Sequence, residues 1–376
     1  MARDVPFVRE FSEPADPPPT LSQDVLSWMK ANLFSSIASS LTTLLFAAVF
    51  IWFVPSLVTW ATTKAVWVAS DGEVCRQHQD GACWAFIGAK LDYLRFGSYP
   101  IHERWRVNVS EGIGAVLIVW LLWPALKRKG VAAFLFFVIY PILAFLLVRG
   151  SQWFGLPVVD TLLWGGLFVT LLTALVAIVF SLPLGVLLAL GRRSQLPIVR
   201  LASVMFIEFV RGVPFITVLF MANTMLPLFL PEQWTPDRLI RPLVGIVLFS
   251  AAYMAEEVRG GLQAIRPGQY EGALALGLHY PLMMALIILP QALILVVPGI
   301  VNNFVGLFMD TTLVSVVGMT DFLEAMNNAL KDPLWSGPTI MTTGYVFAGM
   351  VYFLFCYGMA RYAAFVERSL AKGRRV

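Results

Sequence analysis

The sequence predicts an all-α polytopic membrane protein with about eight transmembrane helices. Hydrophobic residues make up 58% of the 376 positions and charged residues only 13%, whereas soluble domains have roughly 45–50% and 25%. These few charges could not cover the surface of a soluble chain of this length, and the mean hydropathy of +0.75 agrees. Soluble enzymes, disordered proteins and fibrous proteins are therefore excluded.

Eight apolar segments can cross a bilayer, for which a helix needs about 20 mostly apolar residues. The second has only 15 residues before Lys127, and we expect residues 107–111 to lengthen it. The polar, proline-rich residues 1–32 do not resemble a signal peptide, so we expect the first segment to stay in the membrane. The predicted spans are residues 33–59, 112–126, 131–148, 161–190, 201–230, 242–261, 285–308 and 338–364.

Basic residues predict the orientation, because short loops rich in lysine and arginine stay in the cytoplasm. Eight spans with a cytoplasmic N-terminus put every basic cluster on that side. We therefore expect cytoplasmic tails over residues 1–32 and 367–376, and a periplasmic loop over about 60–111. The clusters are Lys127, Arg128 and Lys129; Arg192, Arg193 and Arg200; and Arg368, Lys372, Arg374 and Arg375.

Two cysteines, Cys75 and Cys83, lie close together in the predicted outer loop. An oxidising compartment permits a disulfide between them, although spacing alone does not fix its geometry. Two unpaired thiols in a folded loop are the alternative.

Patterns for catalysis and for cofactor binding are missing from the sequence. The three histidines are scattered and form no metal site with the isolated cysteines. No Gly-x4-Gly-Lys-Ser/Thr segment occurs, so the chain does not bind ATP by a P-loop. The net charge of +4 does not form the basic patch that nucleic acid requires. We expect no enzyme, no cofactor or metal in this chain, and no nucleic-acid partner.

Two carboxylate–arginine pairs lie in the predicted spans. Glu208 precedes Arg211 by three residues, and Glu256 precedes Arg259 in the same way, so each pair can form on one helix face. Because a charge at the bilayer centre costs about 2.5–3.5 kcal/mol, Glu208, Arg211 and Glu256 are candidates for a substrate path. The alternative is that both pairs are structural and lie near cytoplasmic helix ends.

The seventh predicted span contains a second set of polar residues. Asn302 and Asn303 lie deep in it, after Pro290 and Pro298, and prolines free backbone groups that can line a cavity. We expect the translocation path to include these two residues together with Asp310 and Thr311. Hydrogen bonds between helices are the alternative role.

The predicted cytoplasmic loop over about 262–284 contains a short amphipathic helix. Pro267 and Gly268 are a start signal, and Gly277 with Pro281 is a stop signal. Such a helix fits a groove on a partner, although an ordinary interfacial helix would show the same pattern. Its apolar face is formed by Ala273, Leu274, Leu276 and Leu278.

The spacing in this loop resembles the EAA loop of ABC importer permeases. Glu271, Gly272 and Ala273 are followed after three residues by Gly277, and nine residues later by Ile-Ile-Leu-Pro at 287–290. The family usually has Ala in place of Gly272. The resemblance implies that the loop docks on an ATP-hydrolysing subunit. The residues that it assigns to coupling are Glu271, Gly272, Ala273, Leu274, Gly277 and Leu278.

Three further segments are similar to the family of histidine, glutamate, glutamine, arginine and opine permeases. Residues 208–214 resemble its Glu-x-x-Arg-Gly-Thr-Pro segment, with Val213 in place of Thr, and residues 252–261 resemble the stretch before its EAA loop. Residues 309–318 resemble its Lys-Asp-Thr-Ser-Leu-Val-Ser-Val-Ile-Gly stretch, with Met309 in place of Lys. The three additional N-terminal spans most resemble the M-type permease of general L-amino acid importers, or its glutamate/glutamine/aspartate/asparagine relative.

This resemblance implies a type I ABC permease core over residues 156–366, preceded by a three-span extension over 33–155. It further implies a permease for polar L-amino acids in the bacterial inner membrane, with both termini cytoplasmic. The implied partners are a homologous Q-type permease, a dimeric ATPase that binds ATP and Mg, and a periplasmic amino-acid-binding protein. A self-sufficient ion-coupled secondary transporter is the alternative function.

Small residues in the loop lead to a more detailed expectation. We expect Ala273 and Gly277 to let the ATPase approach closely, because larger side chains would separate the two surfaces. We also expect Gly277 to adopt a left-handed conformation that few other residues tolerate.

Overall fold

The structure is a computed structural model and describes residues 25–152 and 155–372. These residues are almost entirely helical, and the single strand among them is Thr320–Asp321. Residues 1–24 of the predicted N-terminal tail, and the predicted basic residues Arg374 and Arg375, lie outside the described residues.

The chain divides into two compact units, residues 1–65 and 66–376. The first contains helices α1 (Val25–Asn32) and α2 (Ile37–Ala61). Ser36 and Ser39 form a capping box at the start of α2, each hydroxyl oxygen accepting from the other backbone N–H. Helix α2 is apolar on every side and buries none of its side chains, as expected for a helix in lipid. It coincides with the first predicted span.

The second unit contains the remaining helices. Short π-helical turns connect α6 to α7, α10 to α11 and α14 to α15. The bounds are α3 Glu73–Gln77, α4 Trp84–Phe96, α5 Arg104–Leu122, α6 Lys129–Phe134, α7 Tyr140–Arg149, α8 Gly166–Arg192, α9 Pro197–Gly212, α10 Phe215–Phe220, α11 Leu226–Phe229, α12 Ile240–Ala264, α13 Pro267–Ala275, α14 Tyr280–Met283, α15 Leu289–Asp310, α16 Phe322–Leu330 and α17 Pro338–Lys372.

Six helical segments among the described residues are long and apolar enough to cross a membrane. They correspond to the first four, the seventh and the eighth predicted spans. The second is lengthened as predicted, because α5 already begins at Arg104. The sixth predicted span is helical throughout as α12, but Arg241, Glu256, Glu257 and Arg259 make it more highly charged than the others.

The fifth predicted span, residues 201–230, is not one continuous helix. The chain bends by 111° between α9 and the α10–α11 segment, which together form either one broken span or a re-entrant loop. Pro214 is the cause, because its ring disfavours a helical conformation at the preceding residue. Val213 is accordingly extended, with φ −104° and ψ 137°.

The core of the second unit is built around α8 and α12, which pack against each other along much of their length. Helix α15 packs on α12, and α17 packs on α15. At one end of α8 the predicted outer loop joins this bundle, because α4 packs on α8, α16 and α17. Phe86 of α4, Phe322 of α16 and Trp335 share one buried apolar cluster there.

Candidate functional site

A cavity of about 330 Å³ lies between α10, α12 and α15. It contains three of the residues predicted for the translocation path, Asn302, Asn303 and Asp310. Asn302 and Asp310 are eight residues apart in α15 and therefore lie on one helix face. The other side chains that line the cavity are Phe215, Phe249, Ser250, Tyr253, Met254 and Leu307.

Asn303 also bonds across the helix interface, as the alternative interpretation anticipated. Its Nδ2 donates to Glu257 Oε1 at 3.0 Å and to the Gly299 carbonyl at 3.1 Å. Gly299 makes this approach possible, because a Cβ there would lie 2.2 Å from Glu257 Oε2. Sequence reasoning did not identify Glu257, since only the packing of α12 on α15 brings it beside Asn303.

The other predicted path residues differ in their surroundings. The Asn302 amide is exposed and makes no hydrogen bond within residues 25–152 and 155–372. Thr311 is buried and does not line the cavity. Its Oγ1 donates to the Phe308 carbonyl at 2.7 Å, so in this structure it stabilises the end of α15.

Beside the cavity lies a cluster of charges centred on Glu256. The predicted Glu256–Arg259 pair is confirmed, with 2.6 Å between carboxylate and guanidinium. Arg192 of α8 lies 2.8 Å from the Glu256 carboxylate, and Arg211 of α9 lies 3.6 Å from it. Glu256 therefore connects three helices.

The predicted pairing of Glu208 with Arg211 was wrong. Glu208 pairs with Arg192 at 2.8 Å, and Arg211 extends to Glu256 instead. Both side chains find partners on neighbouring helices because α9 packs on α8 and α12.

Tyr253 contacts both this cluster and the cavity. The Arg211 guanidinium lies 5.4 Å from the centre of the Tyr253 ring, and Tyr253 lines the cavity. Glu208, Arg211 and Glu256 do not line it. The Arg211 charge therefore lies against an aromatic side chain that lines the cavity.

Helix α13 is the short helix that the sequence predicts in the 262–284 loop. It starts at Pro267, and Gly277 has the predicted left-handed conformation with φ +76°. The Gly277 N–H donates to the Leu274 carbonyl at 2.9 Å, and the Leu278 N–H donates to the Ala273 carbonyl at 3.2 Å. These two bonds form a Schellman motif, which ends the helix.

The predicted apolar face of α13 is divided between two surroundings. Ala273 is only 2% exposed and packs with Leu278 in a buried cluster of this chain. The expectation that Ala273 meets the ATPase was therefore wrong, because its own chain already covers it. Leu274 and Leu276 are 61% and 77% exposed, so they supply the accessible apolar surface.

Tyr270 anchors α13 to the bundle, a role that the sequence did not reveal. Its hydroxyl accepts from Arg193 Nη1 at 3.0 Å and donates to the Leu262 carbonyl at 3.4 Å. The Arg193 guanidinium also lies 5.6 Å from the Tyr270 ring centre. Movement of α13 would therefore be transmitted to α8 and α12.

At the other end of α8, the structure joins Cys75 and Cys83 by a disulfide. The Lys90 ammonium lies 2.5 Å from the Asp332 carboxylate, and this hydrogen bond lowers the pKa of Asp332 below its usual value. The Cys83 N–H donates to Thr343 Oγ1 at 2.9 Å. These bonds attach the predicted outer loop to α17 and to the segment before it.

Polar side chains that share a cavity between spanning helices are characteristic of membrane transport proteins, and this is the class that the fold defines. Residues 181–372 match the family described as "Binding-protein-dependent transport system inner membrane component". The chain belongs to this family.

The chain is 46% identical to the "Inner membrane amino-acid ABC transporter permease protein YhdY" of Escherichia coli, over 97% of this chain and 98% of that protein. It is 35% identical to the "Glutamate/glutamine/aspartate/asparagine transport system permease protein BztC" of Rhodobacter capsulatus, over 99% and 100%. A solved structure, "Crystal structure of an amino acid ABC transporter with histidines", has 25% identity and a TM-score of 0.48, over 54% of this chain and 92% of that one.

Proposed function

We propose that the chain is the permease subunit of an ATP-driven importer of polar L-amino acids. The observation that carries this proposal is the cavity between α10, α12 and α15. It combines one carboxylate, two amides and two hydroxyl groups with an apolar wall. An amino acid has a cation, an anion and a side chain, and these three parts find complementary groups in the cavity.

Specific residues suit each part of such a substrate. Asp310 would accept hydrogen bonds from the ammonium group, while the Asn302 amide and the Ser250 hydroxyl would donate to the carboxylate. The Ser250 Oγ is buried and has no partner among the described residues, so it can bond to a ligand without losing another contact. The volume of about 330 Å³ is at the small end of ligand sites.

The full-length relatives support the substrate class. One is named as an amino-acid ABC transporter permease. The other is named for glutamate, glutamine, aspartate and asparagine, and all four of these amino acids have polar side chains. We therefore propose an amino acid with a polar side chain, for which the amides and hydroxyls of the cavity supply partners.

In the proposed assembly, energy comes from a dimeric ATPase that binds ATP and Mg. Helix α13 would dock on it through Leu274 and Leu276, with Glu271, Gly272 and Gly277 beside them. Because Tyr270 bonds to Arg193, movement of α13 would reach α8 beside the Glu256 cluster. A homologous Q-type permease would complete the path, and a periplasmic amino-acid-binding protein would deliver the substrate.

The proposed orientation puts both termini and α13 in the cytoplasm, and the Cys75–Cys83 loop in the periplasm. Cysteine labelling with a membrane-impermeant reagent tests it. Intact cells should label a cysteine at Val68, which is 89% exposed in the predicted outer loop, and protect one at Ser194, and inside-out vesicles should reverse this pattern. Labelling of the Val68 position from the cytoplasmic side alone would contradict the orientation.

Transport by the complete system in membrane vesicles tests the function. We expect uptake of a labelled polar amino acid to require ATP on the ATPase side and to persist when ionophores remove ion gradients. The alternative, an ion-coupled secondary transporter, predicts uptake that follows the gradient and ignores ATP. Gradient-driven uptake without ATP would refute the proposal.

A further inference from the structure

Two adjoining cavities lie where the end of α8, the start of α9 and the end of α12 meet. Their volumes are about 540 and 420 Å³. Both are lined by Arg193, Arg200 and Val204, and we call them together the arginine cavity. The other residues that line it are Arg192, Arg259, Ser194, Gln195, Pro197, Leu201 and Gln263, so no described carboxylate contributes to its walls.

Two of these arginines, Arg193 and Arg200, form no ion pair with a carboxylate of residues 25–152 or 155–372. Arg193 donates to the Tyr270 hydroxyl and, at 3.3 Å, to the Leu262 carbonyl, both of which are neutral. Arg200 forms no ion pair with any residue that the structure describes, whereas Arg192 and Arg259 share Glu256. The cavity is therefore electropositive and suited to an anion.

An exposed apolar strip begins at the same cavity. Leu201 lines the cavity, and Met205 and Phe209 follow it at intervals of four residues along α9, so the three share one helix face. Their exposed fractions are 61%, 62% and 62%. The strip extends about 12 Å at 1.5 Å per residue. A soluble anion makes no use of such a strip, but an acyl chain does.

We propose that the arginine cavity binds the phosphate of an anionic phospholipid, with an acyl chain along the Leu201–Phe209 strip. Basic pockets between spanning helices on the cytoplasmic side are suited to such headgroups. The bound phosphate would hold Arg193 in place, and Arg193 also stacks on Tyr270 of α13. The lipid would therefore stabilise the helix that we propose for coupling. The cytoplasmic placement of the cavity and this last step rest on the proposed function, while binding of the phosphate and the acyl chain does not.

The binding step is tested with the full chain, extracted in mild detergent from phosphatidylcholine vesicles with or without phosphatidylglycerol. Native mass spectrometry counts the phosphatidylglycerol molecules that each chain retains. We expect Arg200→Gln to weaken retention roughly fivefold, because one arginine near an anionic surface is worth about 1 kcal/mol. Arg193→Gln with Arg200→Gln should weaken it roughly 25-fold.

Two further variants separate charge from folding. Arg200→Lys keeps the charge and should retain the lipid nearly as well as the unchanged chain. Arg368→Gln removes an exposed arginine outside the cavity and should leave retention unchanged. Equal retention by Arg200→Gln and Arg368→Gln would refute the proposal.

Inorganic phosphate and protein partners distinguish the source of the anion. Excess phosphate in the detergent buffer should not displace the lipid, because phosphate has no acyl chain to lie on the apolar strip. Displacement by phosphate alone would show a simple anion site and refute the lipid assignment. Loss of a co-purified protein with full lipid retention in Arg200→Gln would show a protein contact and also refute it. Lipid retention is measured without ATP or transport, so a result that refutes the lipid site does not affect the proposed function.

Discussion

The two ends of α8 are held together in different ways. At the disulfide end, which comprises residues 66–101 and 318–340, a buried cluster with aromatic rings, the hydrogen bond from Cys83 to Thr343 and the Lys90–Asp332 ion pair attach the outer loop to the bundle. A disulfide closes the loop itself. At the coupling end, which comprises residues 192–211 and 256–279, partly exposed arginines and carboxylates share partners. The first end has one tightly packed arrangement, while the second has several charges that can exchange partners.

This difference indicates where the bundle can change shape. Arg192 is paired with Glu208 and Glu256 at the same time. Ion pairs with an exposed partner such as Glu208 are worth about 0–1 kcal/mol, so Arg192 can release Glu208 at little cost while it keeps Glu256. Replacing large buried apolar side chains such as Phe86 or Phe322 typically costs about 3–5 kcal/mol. Movement of the permease should therefore concentrate at the coupling end, with the disulfide end as its fixed part.

The largest expected effect is at Gly277. Gly277→Asp should abolish ATP-driven uptake and release the ATPase, while the permease still accumulates in the membrane. A non-glycine residue at φ +76° is strained by about 1–2 kcal/mol, and an unpaired charge in the proposed interface costs more. An added Cβ meets none of the residues that the structure describes within 4 Å, so we expect a steric conflict with a partner. Uptake and co-purified ATPase are measured at matched permease levels.

Gly130→Asp is the matched control for that variant. Gly130 is exposed, has a negative φ and open space around it, and lies in the first turn of α6, where a carboxylate is favourable. The Gly130→Asp variant should show normal ATP-driven uptake. Normal uptake by Gly277→Asp would overturn the coupling assignment of α13.

The next effect concerns the cavity between the two ends. Asp310→Asn keeps the size of the side chain but removes the charge proposed to bind the substrate ammonium. Hydrogen bonds to charged groups are worth about 1.5–3 kcal/mol, so the efficiency of uptake should fall by roughly 10- to 150-fold. Initial uptake rates over a range of substrate concentrations measure this. Asp160→Asn, in an exposed loop, should have no effect, and equal rates for both variants would remove Asp310 from the path.

The sequence predicted local features better than contacts between helices. Helix α13, its Pro267 start and the left-handed Gly277 follow from signals within ten residues, and all three are confirmed. The Glu208–Arg211 pair was predicted from spacing on one helix, but side chains of α8 and α12 compete for both partners. Glu257 and Tyr270 were missed because their roles depend on Asn303 and Arg193, which lie far away in the chain.

The burial of Ala273 and the bend in the fifth predicted span were also not predicted from the sequence. Amphipathic spacing identifies an apolar face but does not tell whether the chain itself or a partner covers each part of that face. Ala273 is covered by its own chain, while Leu274 is not. The bend at Pro214 had a local signal, but a hydrophobic count over 30 residues averages across a single proline.

Removal of the disulfide should have a moderate effect on the disulfide end. Cys75→Ser combined with Cys83→Ser should lower the free energy of unfolding by about 2–3 kcal/mol, the chain-entropy value for so short a loop. The thermal unfolding midpoint of the purified permease measures this, and a reducing agent should lower the midpoint of the unchanged chain but not of the variant. Cys356→Ser, which removes the free thiol, should not change the response to reducing agent. Free thiols at both positions in a non-reducing digest would contradict the disulfide.

The smallest expected effect is a pH dependence at the same end. Lys90 holds the pKa of Asp332 below its usual value. The Lys90–Asp332 pair therefore stabilises the fold at pH values above the ordinary aspartate pKa of about 3.9. This contribution is lost as the pH falls through the lowered pKa. Acidification below pH about 4 should therefore lower the thermal midpoint of the unchanged chain more than that of Lys90→Met. Lys331→Met is the control, because Lys331 is mostly exposed and lies 3.9 Å from its carboxylate partner Glu324. It should keep the full acid response, and an equally full response in Lys90→Met would show that the outer loop is held without this pair.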